Sequence, residues 1–282
     1  MKDKKNIGPL FLVLAALMWS SAGVLIKSVP WDGISVSAMR GPVGFLALLI
    51  FMRPFPMKLN KVKIIVAFCY FAQGFLYVLA NKYTTAANAT MLQYTSSLYI
   101  ILFTAIATRK LPKKLDVAAC IILLGGIALA FAGTSESGGM LGNLMALASA
   151  LFYAGVFYFS RMEGADTVDS MVLGNAMYMI LLPVMLTDPV VLESSWQAWL
   201  LAAAYGMVGG FGAWMCFGKG IRTTPALQAN FITMLEPVLA PVWTFLILGE
   251  TITVWSLLGA VVVIGGILVY NTLQTKRQEK EM

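Results

Sequence analysis

The chain has 282 residues, of which 59% are hydrophobic and only 12% charged. A soluble domain averages about 25% charged residues, so this composition excludes disorder, a nucleic-acid-binding arm and an ordinary cytosolic enzyme. Lys and Arg number 20 against 13 Asp and Glu, a net charge of +7, and His is absent.

A bilayer core takes roughly 20 helical residues to cross. Charge-free apolar runs of that order cover 7–26, 64–81, 83–108, 117–135, 137–160, 170–187, 194–218 and 251–275. Two more runs each carry one charge: 33–52 holds Arg40 and 223–249 holds Glu236. The pattern predicts an all-α integral membrane protein of ten transmembrane helices, with short loops and no second soluble domain. The first run follows Lys2, Lys4 and Lys5. It is longer than the apolar region of a signal peptide, and Ser20-Ser21-Ala22 is a poor cleavage site, so it reads as a retained helix.

Cys69, Cys120 and Cys216 lie singly in apolar runs and read as small buried hydrophobes. Without histidine, a zinc site and a Ser-His or Cys-His pair are excluded. No cofactor and no enzymatic activity are expected. The short loops offer one acidic group, Glu163, Asp166 and Asp169, which reads as solvated surface.

Basic residues set orientation. With the N-terminus inside, all but three of the 20 Lys and Arg fall on the inner side. The exceptions are Lys27 and Lys82 at outer ends and Arg40 within a span. One missed helix would reverse every later loop, so the bias predicts a cell-membrane protein with both termini cytoplasmic. Asp32, Glu136, Asp188, Glu193 and Glu250 then lie outside. Lys219 and Arg222 read first as topology signal, with a phosphate contact as the alternative.

Shifting the sequence by 140 aligns it with itself. Lys82-Tyr83-Thr84-Thr85-Ala86 lies over Arg222-Thr223-Thr224-Pro225-Ala226, and Gly125-Gly126 over Gly265-Gly266. A shift of 134 brings Trp19 over Tyr153 and Lys27 over Arg161. Five helices per repeat is an odd number, so the repeats run in opposite directions across the membrane. This predicts two inverted five-helix repeats, 1–135 and 136–275, and a cytoplasmic tail, 276–282. The Gly-Gly pairs, with Ala119 and Gly259 seven residues earlier, put small residues on one helix face for close packing.

The motifs Thr84-Thr85-Ala86-Ala87-Asn88-Ala89 and Leu235-Glu236-Pro237-Val238-Leu239-Ala240, followed by Leu248-Gly249-Glu250-Thr251-Ile252-Thr253, make the chain resemble the drug/metabolite transporter superfamily, EamA type. The likeness covers nearly the whole chain and is strongest over 224–270. In the first repeat Ser96-Ser97 replaces Glu236-Pro237, and Arg109-Lys110 replaces Gly249-Glu250. The resemblance implies movement of small organic molecules through a central cavity, by alternating access, and does not name the substrate.

Glu236 stands halfway along its run, where a carboxylate costs several kcal/mol unless paired, hydrated or protonated. It reads as a cation or proton site, or as a structural acid bonded to a neighbouring helix. Trp243 shares its helical face. Arg40 lies near enough to its helix end to snorkel outward; the alternative is a gate or a contact for a substrate carboxylate. Tyr70, Gln73, Tyr77 and Asn81 fall on one stripe of the third helix. The fourth is unusually polar, with Asn88, Thr90, Gln93, Tyr94, Thr95, Ser96, Ser97 and Tyr99. Both are expected to line a cavity or pack inward.

Trp19, Tyr153, Tyr158, Tyr178 and Trp214 are aromatic candidates for an ammonium, with packing as the alternative. Asn175 is a further lining candidate, and Trp31, Trp196, Trp199 and Trp255 read as interfacial belts. The reading is a secondary transporter of amino acids or amines, with protons as a candidate coupling ion; a choline-like cation is the rival cargo. Its partners are a small metabolite and the lipid bilayer, not nucleic acid, and it is expected as a monomer or homodimer. A channel and a membrane enzyme are the remaining alternatives.

Overall fold

A computed structural model describes residues 3–52, 57–132, 139–248 and 253–281. Among them every regular element is helical. In order these are α1 (Asp3–Trp19), α2 (Ala22–Ser28), α3 (Gly33–Met52), α4 (Lys61–Tyr83), α5 (Ala86–Gln93), α6 (Ser96–Thr108), α7 (Lys114–Ala130) and α8 (Met140–Phe159). There follow α9 (Thr167–Tyr178), α10 (Leu182–Thr187), α11 (Pro189–Leu192), α12 (Trp196–Tyr205), α13 (Ala213–Ile221), α14 (Ala226–Thr233), α15 (Leu235–Leu248) and α16 (Val254–Glu281). A 3-10 turn, Met179–Leu181, joins α9 to α10, and a π-helical stretch, Gly206–Gly212, joins α12 to α13.

Eight helical stretches among the described residues are long and apolar enough to cross a membrane. They are Ile7–Ser28, Gly33–Met52, Lys61–Tyr83, Ala86–Thr108, Met140–Phe159, Thr167–Thr187, Trp196–Ile221 and Val254–Gln274. The two other runs read from sequence appear as α7, 17 residues long, and as the broken pair α14 and α15. Glu136, Glu250 and Arg53 lie outside the described residues.

The distribution of polarity is that of a protein in lipid. Leu46, Ile50, Ile106 and Val261 point outward, whereas Gln73, Gln93, Ser96, Asn175, Asn230 and Glu236 are buried. Polar groups in hydrocarbon need internal partners, and they collect between the helices.

Long contacts order the bundle: α4 packs along α8, α1 along α13, and α3 along α9. The last pair, α7 and α16, is held by glycines. A Cβ on Gly126 would meet Val262 and Val263, and one on Gly266 would meet Ile122 and Leu123. The backbones are close because neither position carries a side chain.

Three helices are broken where side chains take over backbone bonds. Ser20 and Ser21 hydroxyls donate to the carbonyls of Leu17 and Met18 between α1 and α2. Thr95 donates to Leu92 O between α5 and α6. Between α14 and α15, Pro237 has no N–H to offer the carbonyl four residues back. That carbonyl, on Thr233, accepts the Tyr94 hydroxyl instead.

Two expectations are corrected. Trp31 is not a membrane belt: it is 2% exposed, donates to Ser194 Oγ at 2.7 Å and meets Trp199 edge-on. Its indole N–H finds a protein acceptor, so it has no need of the interface. The acidic group at 163–169 is not simply solvated. Asp169 pairs with Lys63, and Asp166 caps α9 and pairs with Arg222 at 3.3 Å.

Candidate substrate-binding site

A cavity of about 30 Å³ lies at the centre of the bundle. It is lined by Trp19, Ala22, Arg40, Gln73, Gly74, Tyr77, Gln93, Tyr153, Tyr205, Gly209, Trp214 and Glu236. These residues come from α1, α2, α3, α4, α5, α8, α12, the π-helical stretch, α13 and α15. A volume of that size admits about one water molecule.

Glu236 is the second residue of α15, so its carboxylate sits by the positive end of a half-helix. It is 5% exposed, and Tyr94 Oη lies 2.8 Å from its Oε2. Tyr94 fills the break between α5 and α6. Asn230 Nδ2 donates to Ser96 Oγ at 2.9 Å, so the two broken helices are stitched together at their breaks. A phenol has one proton to donate, and Tyr94 Oη faces both the Thr233 carbonyl and the Glu236 carboxyl.

The polar wall is a glutamine pair. Gln93 Nε2 donates to Gln73 Oε1 at 3.2 Å and to Ser149 Oγ at 2.8 Å, and Ser149 donates to Gln73 O at 2.9 Å. Tyr77 Oη shares a 2.9 Å bond with Thr90 Oγ1. A further part of the lining is aromatic. Trp19 meets Trp214 at 4.9 Å and Tyr153 at 6.1 Å between ring centroids, both edge-on, and Tyr153 reaches Tyr94 at 6.0 Å. Trp19 Nε1 donates to Gly209 O at 3.3 Å.

Arg40 does not snorkel. It is 2% exposed, with Cζ 4.9 Å from the Tyr70 ring, 5.1 Å from Tyr178 and 5.9 Å from Tyr205. Gly41 and Gly44 bring α3 close to Tyr178 and Asn175 of α9, and Gly210 leaves room for the arginine stem. Close packing on both flanks removes the route to the surface.

Of the residues singled out in the sequence, Trp19, Arg40, Gln73, Tyr77, Gln93, Tyr153, Trp214 and Glu236 meet at the cavity. Tyr94 stands behind Glu236. Tyr178 stands behind Arg40, and Asn175, wholly buried, has its Oδ1 3.3 Å from Tyr70 Oη. Ser97 lies away, bonded to Tyr94 O and facing Cys120 Sγ. Trp243 donates to Ser20 Oγ at 2.7 Å and is no part of the lining. Tyr158 lines a different space, a cleft of about 750 Å³ with Lys110, Lys113 and Arg161 at its rim.

Sequence reasoning missed Tyr205, Gly74 and the π-helical stretch. The signal for the last was available: Gly206, Gly209, Gly210 and Gly212 fall within seven residues. Such bulges are frequent at functional sites. Here the carbonyls of Gly209 and Gly210 accept from Trp19 and Tyr70.

Comparison with known proteins gives the family. The EamA-like transporter family matches residues 6–132 and again 140–272. The chain belongs to the EamA-like transporter family. An uncharacterized transporter of Archaeoglobus fulgidus is 26% identical over 268 residues, covering 93% of this chain and 95% of the relative. Uncharacterized transporter YwfM of Bacillus subtilis is 25% identical, covering 99% of this chain and 98% of its own. A crystal structure aligns with TM-score 0.79 over 97% of this chain and 99% of that one, at 19% identity, a likeness of fold. This EamA chain is thus a multi-pass membrane transporter. The cavity described above is its candidate binding site.

Proposed function

We propose that this EamA transporter is secondary-active and moves amino acids or amines by alternating access about the central cavity. The observation that carries the reading is Glu236: a carboxyl group 5% exposed, lining that cavity together with aromatic rings. A carboxylate and aromatic faces are what an ammonium group needs.

Inverted five-helix repeats, 1–135 and 136–275, underlie the proposed movement. Support comes from matched breaks: α5 ends at Gln93 and α14 at Thr233, 140 residues apart. The packing is matched too. In ten-helix terms, α4 on α8 is the third helix on the sixth, and α1 on α13 is the first on the eighth, its counterpart. The reciprocal contacts of Gly126 and Gly266 and the family's double match add to this.

A cavity of about 30 Å³ is too small for an organic metabolite. Cargo therefore enters through rearrangement of the two halves, consistent with gated exchange rather than an open pore. Protons are the proposed coupling ion. If Tyr94 gives its one proton to Thr233 O, a protonated Glu236 can donate to Tyr94 Oη, and all partners are satisfied. The proposed setting is a cell membrane with both termini cytoplasmic, supported by the basic-residue bias.

The test is a melting-temperature screen of amino acids and amines on purified protein, repeated with Glu236→Gln. Amine-bearing compounds should stabilise the wild type and lose at least about tenfold in affinity in the variant. Equal stabilisation of both proteins would remove the carboxyl group from the binding site. A choline-like cation remains the second reading, favoured by the Trp19, Tyr153 and Trp214 rings alone.

A further inference from the structure

Arg40 presents the opposite problem to Glu236. Its guanidinium is buried and carries a permanent charge. Among the described residues the ion pairs are Lys63 with Asp169 and Arg222 with Asp166, and neither involves Arg40. Its Nη1 reaches Tyr205 Oη at a long 3.5 Å. Nε and Nη2 have no acceptor among the described residues. Three tyrosine rings surround the group. Ring faces attract a cation, but they do not accept hydrogen bonds as oxygen does. A buried donor left unmatched has given up its bonds to water without replacement.

The two unmatched atoms are adjacent. Nε–H and Nη2–H lie parallel on one edge of the guanidinium plane, the fork that takes both oxygens of a carboxylate. Space has been kept for the group. A Cβ on Gly74 would collide with Nη1 and with Tyr178 Oη, and one on Gly210 would sit 3.3 Å from Nε. Arg40 and Glu236 line the same cavity without pairing with each other. A permanent cation and an ionisable acid held apart in one cavity match a cargo that carries both a carboxylate and an ammonium.

We propose that Arg40 is an anion-binding residue of the transport site, and that the cargo is a zwitterion whose carboxylate is held by the Nε–Nη2 edge while its ammonium faces Glu236. The inference rests on the amine reading of Glu236 and narrows it, since it excludes amines and choline-like cations that lack an acid group. Tyr70, Tyr178 and Tyr205 then act as positioning residues. They hold the guanidinium by its faces, while the Nε–Nη2 edge is buried without an acceptor among the described residues.

The experiment uses the purified full chain and measures melting-temperature shifts and derived affinities. Its probes are the proteinogenic amino acids, each with the amine left by removing its carboxylate and the acid left by removing its amino group, and also glycine betaine beside choline. The proteins are wild type, Arg40→Gln, Arg40→Lys and Glu236→Gln. Wild type should bind at least one amino acid about tenfold or more tightly than the matching amine. Arg40→Gln should abolish that preference. Arg40→Lys, which keeps the charge without the fork, should recover part of it, so a folded variant reports on the site even if Arg40→Gln melts early. Amines bound as tightly as their parent amino acids, or a preference that survives Arg40→Gln, would overturn the proposal and leave the Glu236 reading intact. So would a wild type that no carboxylate-bearing probe stabilises. The converse pattern, with Arg40→Gln losing the acids and Glu236→Gln losing nothing, would retain the anion site and remove the ammonium site.

Discussion

At the scale of single residues, Arg40 and Glu236 stand out because both are buried and line the central cavity. Of the 20 basic side chains, Arg40 lines the central cavity, and it faces aromatic rings. Glu236 is its acidic counterpart, tied to the neighbouring broken helix through Tyr94. Tyr94→Phe removes the hydroxyl that reaches both Thr233 O and Glu236. It leaves a buried carbonyl short of a donor, which costs about 1–3 kcal/mol. A lower melting temperature with retained fold is the expected outcome. A melting temperature equal to wild type would show that the bond does not hold the two breaks together. Glu236 was legible in the sequence because it alone interrupts its apolar run. The fate of Arg40 was not, because snorkelling and burial both fit a charge a few residues from a helix end. The choice is made by Gly41, Gly44 and Gly210, whose missing side chains let α9 and the π-helical stretch close over it.

At the scale of elements, glycine and proline place the interruptions. The π-helical stretch Gly206–Gly212 turns two carbonyls toward Trp19 and Tyr70. Pro237 frees the Thr233 carbonyl for Tyr94. Periodicity reads continuous helices here, because an apolar run carries no mark of a local change in hydrogen bonding. The glycine cluster did carry one, and counting it would have drawn attention to the cavity wall. Close packing of α7 on α16 is easier to read, since the Gly-Gly pairs recur at a fixed interval. Gly126→Leu should overpack that face against Val262 and Val263 and cost about 1–3 kcal/mol. Gly125→Leu is the control, because nothing lies within 4 Å of a Cβ there. Thermal unfolding in detergent reads both. Equal effects of the two would contradict the assigned interface.

At the scale of the whole molecule, an inside-out distribution of polarity surrounds a small central cavity. Ion pairs at the helix ends tie α9 to its neighbours. Lys63, at the start of α4, holds Asp169, and Arg222, just past α13, holds Asp166. Asp169→Asn removes a largely buried partner and should lower stability by about 1.5–3 kcal/mol, read as a fall in melting temperature. Arg222→Gln, at an exposed pair, should change it little. The family and the membrane-spanning character were legible from composition and from two motifs. Cargo chemistry was not, because a run of apolar sequence does not reveal which of its few polar groups converge. The most direct measurement of the account is counterflow in proteoliposomes with a labelled amino acid chosen by the melting screen. Saturable uptake by wild type that is accelerated by an inward proton gradient, and lost in a stably folded Glu236→Gln, is the predicted result. Uptake that rises without saturation, or that Glu236→Gln supports as well as wild type, would contradict it.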